Sequence, residues 1–398
     1  MSEWQEYVLE DVIEKFIDYR GKTPNKTESG VPLVTAKVVK AGKILPPTEF
    51  ISLDDYGTWM TRGLPEVDDI VLTTEAPLGE VALIKDKNVA LAQRIITLRG
   101  KKEYVFNPFL KYYFQNDTGQ HELQSRASGT TVFGIKASVL RKVPVELPFL
   151  PEQKAIAAVL SSLDDKIDLL HRQNQTLEAM AATLFRLWFV EEAQEDWVEV
   201  ALEDITSRIT DGAHASPSTV EFGLPMASVK DMYQWGINTE SCRHISQEDY
   251  GDLVKADCRP LKNDILIAKD GSYLKHVFVV EDDMDVVILS SIAILRPNGK
   301  YHPLLLATFL KLDSTKVALE NIVTGAVIPR IVLKDFRKFK LGLPPKELQD
   351  QALLSIQSLY EKCWENDRQI RTLEKLRDTL LPKLISGAVR VALDRAAA

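Results

Sequence analysis

The residue clusters that could carry chemistry are few, and each fails a geometric requirement. Gly21-Lys22-Thr23 resembles the end of a phosphate-binding loop, but Phe16 stands where the first glycine must be, so backbone N–H groups cannot cradle a phosphate there. Cys242, His244 and Cys258 could ligate a metal, yet Cys-x-His followed by one distant Cys is not a zinc spacing, and no metal site is expected. Asn107-Pro108-Phe109 lacks the second Pro and the aromatic of an adenine-methyltransferase motif. Neither a G-x-S-x-G elbow nor an H-E-x-x-H helix is present. The sequence reads as a chain that binds rather than reacts. The donors that remain are polar and basic residues in loops, whose chemistry is hydrogen bonding to phosphates or base edges.

What must position those donors is a duplication. Leu163 to Phe185 returns as Leu359 to Leu381, shifted by about 196 residues, with Leu163, Lys166, Gln173, Thr176, Leu177, Glu178 and Leu184 recurring as Leu359, Lys362, Gln369, Thr372, Leu373, Glu374 and Leu380. Asp55-Tyr56-Gly57 matches Asp249-Tyr250-Gly251, Asp69-Ile70-Val71-Leu72 matches Asp264-Ile265-Leu266-Ile267, and Leu147-Pro148 matches Leu343-Pro344. Two copies of one unit imply a pseudo-two-fold object, suited to a target with two related halves.

The 398 residues suffice for two domains with their own cores. No apolar run reaches the roughly 18 residues that cross a membrane, the start lacks a signal-peptide pattern, and three cysteines make no disulfide framework, so a cytoplasmic setting is expected. The net charge of −8 argues against a basic stand-alone nucleic-acid binder. The excess acid is local, however: residues 152–196 carry roughly 4 basic against 9 acidic side chains, whereas residues 1–151 are nearly neutral.

Each half reads as short β-branched runs followed by a long helix. Ile70–Thr73, Val81–Ile84 and Arg94–Leu98, with counterparts Ile265–Ile267, Val277–Val280 and Ile292–Leu295, are punctuated by Gly, Pro and Asp as strands are. Pro108 and Pro303 each open a short helix, where the missing N–H is not needed. The long helices carry a heptad. Ile156, Leu163, Leu170, Leu177 and Leu184 form one seam position; Leu160, Ile167, Asn174, Ala181 and Trp188 form the other. In the second copy Leu359, Asn366, Leu373 and Leu380 alternate with Ile356, Cys363 and Ile370. This 3-4 spacing predicts an antiparallel coiled coil in which Asn174 faces Asn366; the alternative is that each helix covers only its own domain.

Several motifs together resemble the specificity subunits of type I restriction–modification systems over essentially the whole chain. Leu147-Pro148-Phe149-Leu150-Pro151-Glu152-Gln153 is similar to their central conserved region. Leu343-Pro344-Pro345, with Arg377-Asp378-Thr379-Leu380-Leu381-Pro382-Lys383-Leu384-Ile385-Ser386-Gly387, is similar to the C-terminal one. Tyr19-Arg20-Gly21-Lys22-Thr23-Pro24 and Asp211-Gly212-Ala213-His214-Ala215-Ser216-Pro217 occupy matching places in the two halves.

The resemblance implies an α+β tandem repeat of two strand-rich target-recognition domains (1–151 and 197–345), joined by two long helices (152–196 and 346–398) in an antiparallel coiled coil. It also implies a non-catalytic role in reading the two halves of a bipartite, asymmetric double-stranded DNA site. The expected partners are two methyltransferase subunits and restriction/translocase subunits, which would carry S-adenosylmethionine, ATP and Mg. A coiled-coil scaffold, or a specificity protein of another phage-defence complex, stands as the alternative.

Candidate DNA contacts in the first half are Arg20, Lys22, Thr23, Lys26, Lys37, Thr130 and Thr131, with Arg141 and Lys142 expected on phosphates. In the second half they are His214, Ser216, Lys230, Lys269, Ser272, Lys275, His276 and Arg330, with Arg337 and Lys338 expected on phosphates. Asp211 is expected to organise its turn before Gly212, and Trp4 and Trp197 to anchor cores.

Overall fold

The computed structural model describes residues 4–19, 21, 23–129, 133–193, 197–271, 274–325 and 329–392. It falls into two compact units, one made of Met1–Ile167 with Thr372–Ala398, the other of Asp168–Arg371. The division runs through both long helices rather than at their ends, because each unit takes its own stretch of helix into its core.

The first unit is built on a four-stranded antiparallel sheet in the order Ile13–Asp18, Ile95–Gly100, Ile70–Thr74, Leu78–Leu83. The pleat sends alternate side chains to opposite faces. Ile70, Leu72, Val81, Ile96 and Leu98 enter one core with the helices, while Val71, Ala82 and Ile95 enter another with Leu33, Val34 and Leu91. Both faces are therefore covered, and the strands read as continuous apolar runs. The second unit repeats this with Thr206–Asp211, Ile292–Pro297, Ile265–Ala268 and Val277–Val279 in the same order. Here Ile265, Ile267 and Leu295 face one core, and Leu266, Ala268 and Ile294 the other. A three-stranded sheet with one antiparallel and one parallel pairing also recurs, centred on Val31–Val34 and on Leu224–Ala227. The Pro-initiated helices span Asn107–Gln115 and Pro303–Lys311.

Two polar locks recur as well. Arg99 donates bidentately to Asp69, at 2.9 and 2.7 Å. Arg296 does the same to Asp264, at 2.8 Å twice. Gln153 donates to the Tyr104 and Pro148 carbonyls and accepts from the Phe106 N–H, at 2.8–2.9 Å. Gln349 repeats all three bonds with Lys300, Pro344 and His302, at 3.0–3.1 Å. The Leu-Pro motif leading into each long helix is thus a structural clasp: its buried glutamine saturates the backbone where the chain enters the helix.

The long helices span Leu150–Arg186, followed by a π-type turn Leu187–Glu191, and Lys346–Ile385. In the first unit Ile156 and Leu160 pack with Leu384 and Ile385, and Arg377 donates to Asp164 at 3.1 Å. In the second, Ala181 and Phe185 pack with Ala352, Ile356 and Tyr360. Asn366 donates to Asn174 Oδ1 at 2.8 Å and Asn174 to the Cys363 carbonyl at 3.1 Å. The two stretches pair antiparallel within each unit.

Burial departs from a strict seam. Ile156, Leu160, Ile167, Leu170, Asn174, Ile356, Asn366 and Ile370 are buried, but Leu163, Leu177, Leu184, Leu359, Leu373 and Leu380 are half-buried. Phe185, Phe189 and Tyr360 are buried beside them. A 3.6-residue turn drifts about 20° per heptad, and each stretch of helix also serves the core of the unit it lies in, so the covered stripe is wider than a coiled-coil seam. Trp4 packs edge-on against Phe109, and Trp197 packs at a tilt against Phe189.

Arg99 and Asp69 are both almost wholly buried. Replacing Arg99 with Leu leaves a buried carboxylate without its partner and is expected to cost about 3–5 kcal/mol in urea unfolding, whereas changing both residues to apolar ones recovers most of that loss. Asn174→Leu alone is expected to cost about 1–3 kcal/mol by leaving Asn366 with Gln173 as its one remaining acceptor. The Asn174→Leu/Asn366→Leu pair should cost less than the sum of the single changes, which a double-mutant cycle measures.

Candidate nucleic-acid interface

In both units a set of loops gathers at the end of one central strand, on equivalent backbone hydrogen bonds. In the first unit the Thr74 N–H donates to the Arg94 carbonyl and the Ile135 N–H donates to the Thr74 carbonyl, each at 2.9 Å, with Glu75 bridged to Gly134. In the second the Lys269 N–H donates to the Ser291 carbonyl at 2.9 Å and the Ile331 N–H to the Lys269 carbonyl at 3.1 Å, with Asp270 bridged to Arg330. The frame makes Thr74 equivalent to Lys269, Glu75 to Asp270, Arg94 to Ser291, and Gly134 to Arg330. The backbone hydrogen bonds are shared, while the side chains differ in size, charge and hydrogen-bonding sense.

The first frame borders an open cleft lined by Gly21, Glu75, Gln93, Arg94, Ser128 and Lys136. The segments on either side hold Arg20, Lys22, Thr130 and Thr131, which lie outside the described residues. Gly21, Ala76, Arg94 and Gly129 all have left-handed backbone, with φ of 90°, 49°, 68° and 135°. Such conformations are costly for side-chain-bearing residues and concentrate where a structure holds a functional loop. Arg94 Nε lies 3.0 Å from Glu75 Oε1.

The second frame is charged differently. Lys269 is buried, its Nζ 2.7 Å from Asp211 Oδ2 and 3.8 Å from Asp270, and His214 Nε2 lies 3.1 Å from Asp211 Oδ1. Asp211 therefore does more than shape a turn: it neutralises one cation and orients an exposed imidazole. Gly212 beside it cannot carry a side chain, since a Cβ would fall 2.1 Å from the Ile288 carbonyl oxygen. Arg243 pins the same loop, donating to the Pro217 carbonyl at 2.8 Å and to Ser216 Oγ at 2.9 Å. His276 is half-buried; burial and Lys275 hold its imidazole below the usual range, so the ring is neutral at pH 7. Ser272 lies outside the described residues, whereas Lys230, Lys275 and Arg330 are exposed.

The remaining candidates divide. Thr23 lines a separate cleft with Pro24, Asn25, Asp55, Thr58 and Trp59. Lys26 and Lys37 converge on Glu49, at 2.9 and 3.7 Å, and the Lys26 hydrogen bond holds that carboxyl below its ordinary range. Arg141 and Arg337, expected on phosphates, also brace the fold: Arg141 stacks 4.1 Å over the Phe16 ring, and Arg337 donates to the Ile209 carbonyl at 2.7 Å. Each ties the turn before its long helix to the first strand of its sheet. Their neighbours Lys142 and Lys338 are exposed, with no ion pair among the described residues. Sequence reading missed Glu75, Gln93, Arg94, Lys136 and Arg243. Glu75 and Gln93 fall between strand runs and Arg94 opens one, while the backbone bonds that gather them with Lys136 leave no trace in residue type.

Comparison with known proteins gives this arrangement a lineage. The family model described as type I restriction modification DNA specificity domain matches twice, over residues 1–179 and 194–375. A specificity subunit of the type I restriction enzyme MjaIX from Methanocaldococcus jannaschii is 28% identical, covering 81% of this chain and 78% of its own. The EcoBI specificity subunit from Escherichia coli is 22% identical over 92% of this chain and 81% of its own. The crystal structure of a type I restriction-modification system S subunit from M. genitalium superposes with a TM-score of 0.57 at 20% identity, covering 96% of both chains. The chain belongs to the type I restriction–modification DNA specificity family and carries that domain twice.

Proposed function

We propose that this chain is the sequence-reading, non-catalytic subunit of a type I restriction–modification complex, and that its two units read the two halves of a bipartite, asymmetric double-stranded DNA site. One observation carries this reading. Two frames with matching backbone hydrogen bonds present Thr74, Glu75 and Arg94 in one unit and Lys269, Asp270 and Ser291 in the other. Base contacts specify while phosphate contacts only position, so a fixed frame with exchanged side chains is what unequal half-sites require. The first long helix, about 55 Å at 1.5 Å per residue, is longer than the 34–36 Å that separates half-sites one DNA turn apart.

In this reading two methyltransferase subunits and the restriction/translocase subunits dock on the chain and carry S-adenosylmethionine, ATP and Mg. The near-neutral units are then relieved of binding most of the phosphates themselves. Among the described residues no helix is long and apolar enough to cross a membrane, in keeping with work on cytoplasmic DNA. A coiled-coil scaffold would need neither divergent frames nor exposed lysines beside them.

The decisive experiment is a genome-wide map of methylated adenines in cells expressing the chain with its methyltransferase. A gapped, asymmetric motif is expected only when both are present, and exchanging residues 1–151 for those of a relative should change one half of it alone. No new methylation with an active, bound partner would favour the scaffold or another defence complex. Lys142→Glu and Lys338→Glu are expected to weaken binding to all sequences alike and to reduce the salt slope by about one per lost phosphate contact, read by titration at several salt concentrations. An unchanged slope would remove both lysines from the interface.

A further inference from the structure

We infer that Arg94, oriented by Glu75, reads a guanine in the half-site of the first unit; the inference deepens the DNA-reading proposal and rests on it. Arginine offers a planar fork of donors that matches O6 and N7 of guanine in the major groove, the commonest specific contact between a side chain and a base. A phosphate contact needs only a cation somewhere near the backbone, whereas a base contact needs a cation held in one orientation.

Arg94 is held on both sides. Its carbonyl accepts from the Thr74 N–H, which ties the turn to the end of the central strand. Its Nε sits 3.0 Å from the Glu75 carboxylate. Among the described residues no hydrogen bond engages its terminal nitrogens, the four N–H donors that would meet the base edge. The two side chains are 54% and 44% exposed. An exposed pair of this kind adds little stability, so it orients the guanidinium without sequestering it.

The backbone adds a second, independent observation. Arg94 adopts a φ of 68°, a left-handed conformation that glycine or asparagine would take with less strain. A long charged side chain at this position is 54% exposed and lines the cleft, so its packing offsets little of that strain. The second unit supplies the contrast. Ser291 occupies the equivalent place and its Oγ accepts from the Val229 N–H at 3.1 Å, so it serves the fold. Guanine recognition by this position therefore belongs to the first half-site alone.

The test is selection from a randomised duplex pool by the chain in complex with its methyltransferase, comparing wild type with Arg94→Lys and Glu75→Gln. Wild type should return a bipartite motif with an invariant guanine in the first half. Arg94→Lys keeps the charge but loses the fork, and should lower the preference for that guanine by about 10- to 100-fold with the other half intact. Glu75→Gln should relax the same position by a smaller factor. Placing 7-deazaguanine there, which removes N7, should weaken wild type and leave Arg94→Lys unaffected. The inference alone is overturned if Arg94→Lys retains the whole motif, or if it weakens every sequence alike, as loss of a phosphate contact would. A wild type that selects no motif overturns the DNA-reading proposal as well.

Discussion

A sheet buried on both faces is the constraint from which the rest of each unit follows. In Ile70–Thr74 every side chain is buried, alternately among the helices and among the smaller sheet. The same holds for Ile265–Ala268 between its two cores. A charge at any of these positions would have to be desolvated without a partner, which no marginally stable domain tolerates. Chemistry is therefore displaced to the strand ends. There the last backbone bonds of the sheet hold the loops, and side chains are free to differ. The cores are alike in the two units and the strand ends are not, for one and the same reason.

The buried polar groups show which parts of a duplicated unit cannot drift. Arg99 with Asp69 and Arg296 with Asp264 have the same bidentate geometry. Losing the arginine leaves a buried aspartate without its partner in either unit. The glutamine clasps are held by the same logic, with three bonds depending on one side chain. Where the polar group can be exchanged as a pair, drift has occurred. Tyr112 donates to Asp164 in one unit, and at the equivalent place Thr308 and Tyr360 share a hydrogen bond, the large member having changed sides.

These distinctions set what could be read from sequence. The duplication, the strand runs, the long helices and the meeting of Asn174 with Asn366 follow from periodicity and spacing, which survive in residue order. The roles of individual cations do not. Arg141 and Arg337 look like any basic turn until a ring and a carbonyl are found beneath them, and Lys269 looks like a free cation until Asp211 is found 2.7 Å away. Leu177 and Leu184 sit on the heptad but at the flank of the buried stripe, because a sequence repeat of seven does not say how far an actual helix has rotated. Arg94 reads in sequence as the first residue of a strand run, because a left-handed φ and a shared backbone frame are tertiary facts. The Leu-Pro motifs were recognised by family resemblance, and their physical role became visible only in the clasp.

The first unit is closed by residues 372–392, more than two hundred positions downstream of the rest of it, whereas the second is one uninterrupted stretch. Leu384 and Ile385 complete the first core, and Arg377 and Arg390 reach back to Asp164 and Glu152. As the polypeptide leaves the ribosome, the amino-terminal unit must wait for the carboxy-terminal end of the second helix, while the unit encoded later already has all its parts. The usual vectorial order, in which the domain made first folds first, is thus inverted by topology. A nascent chain cut short near residue 371 would leave intact the half synthesised last and disable the half synthesised first.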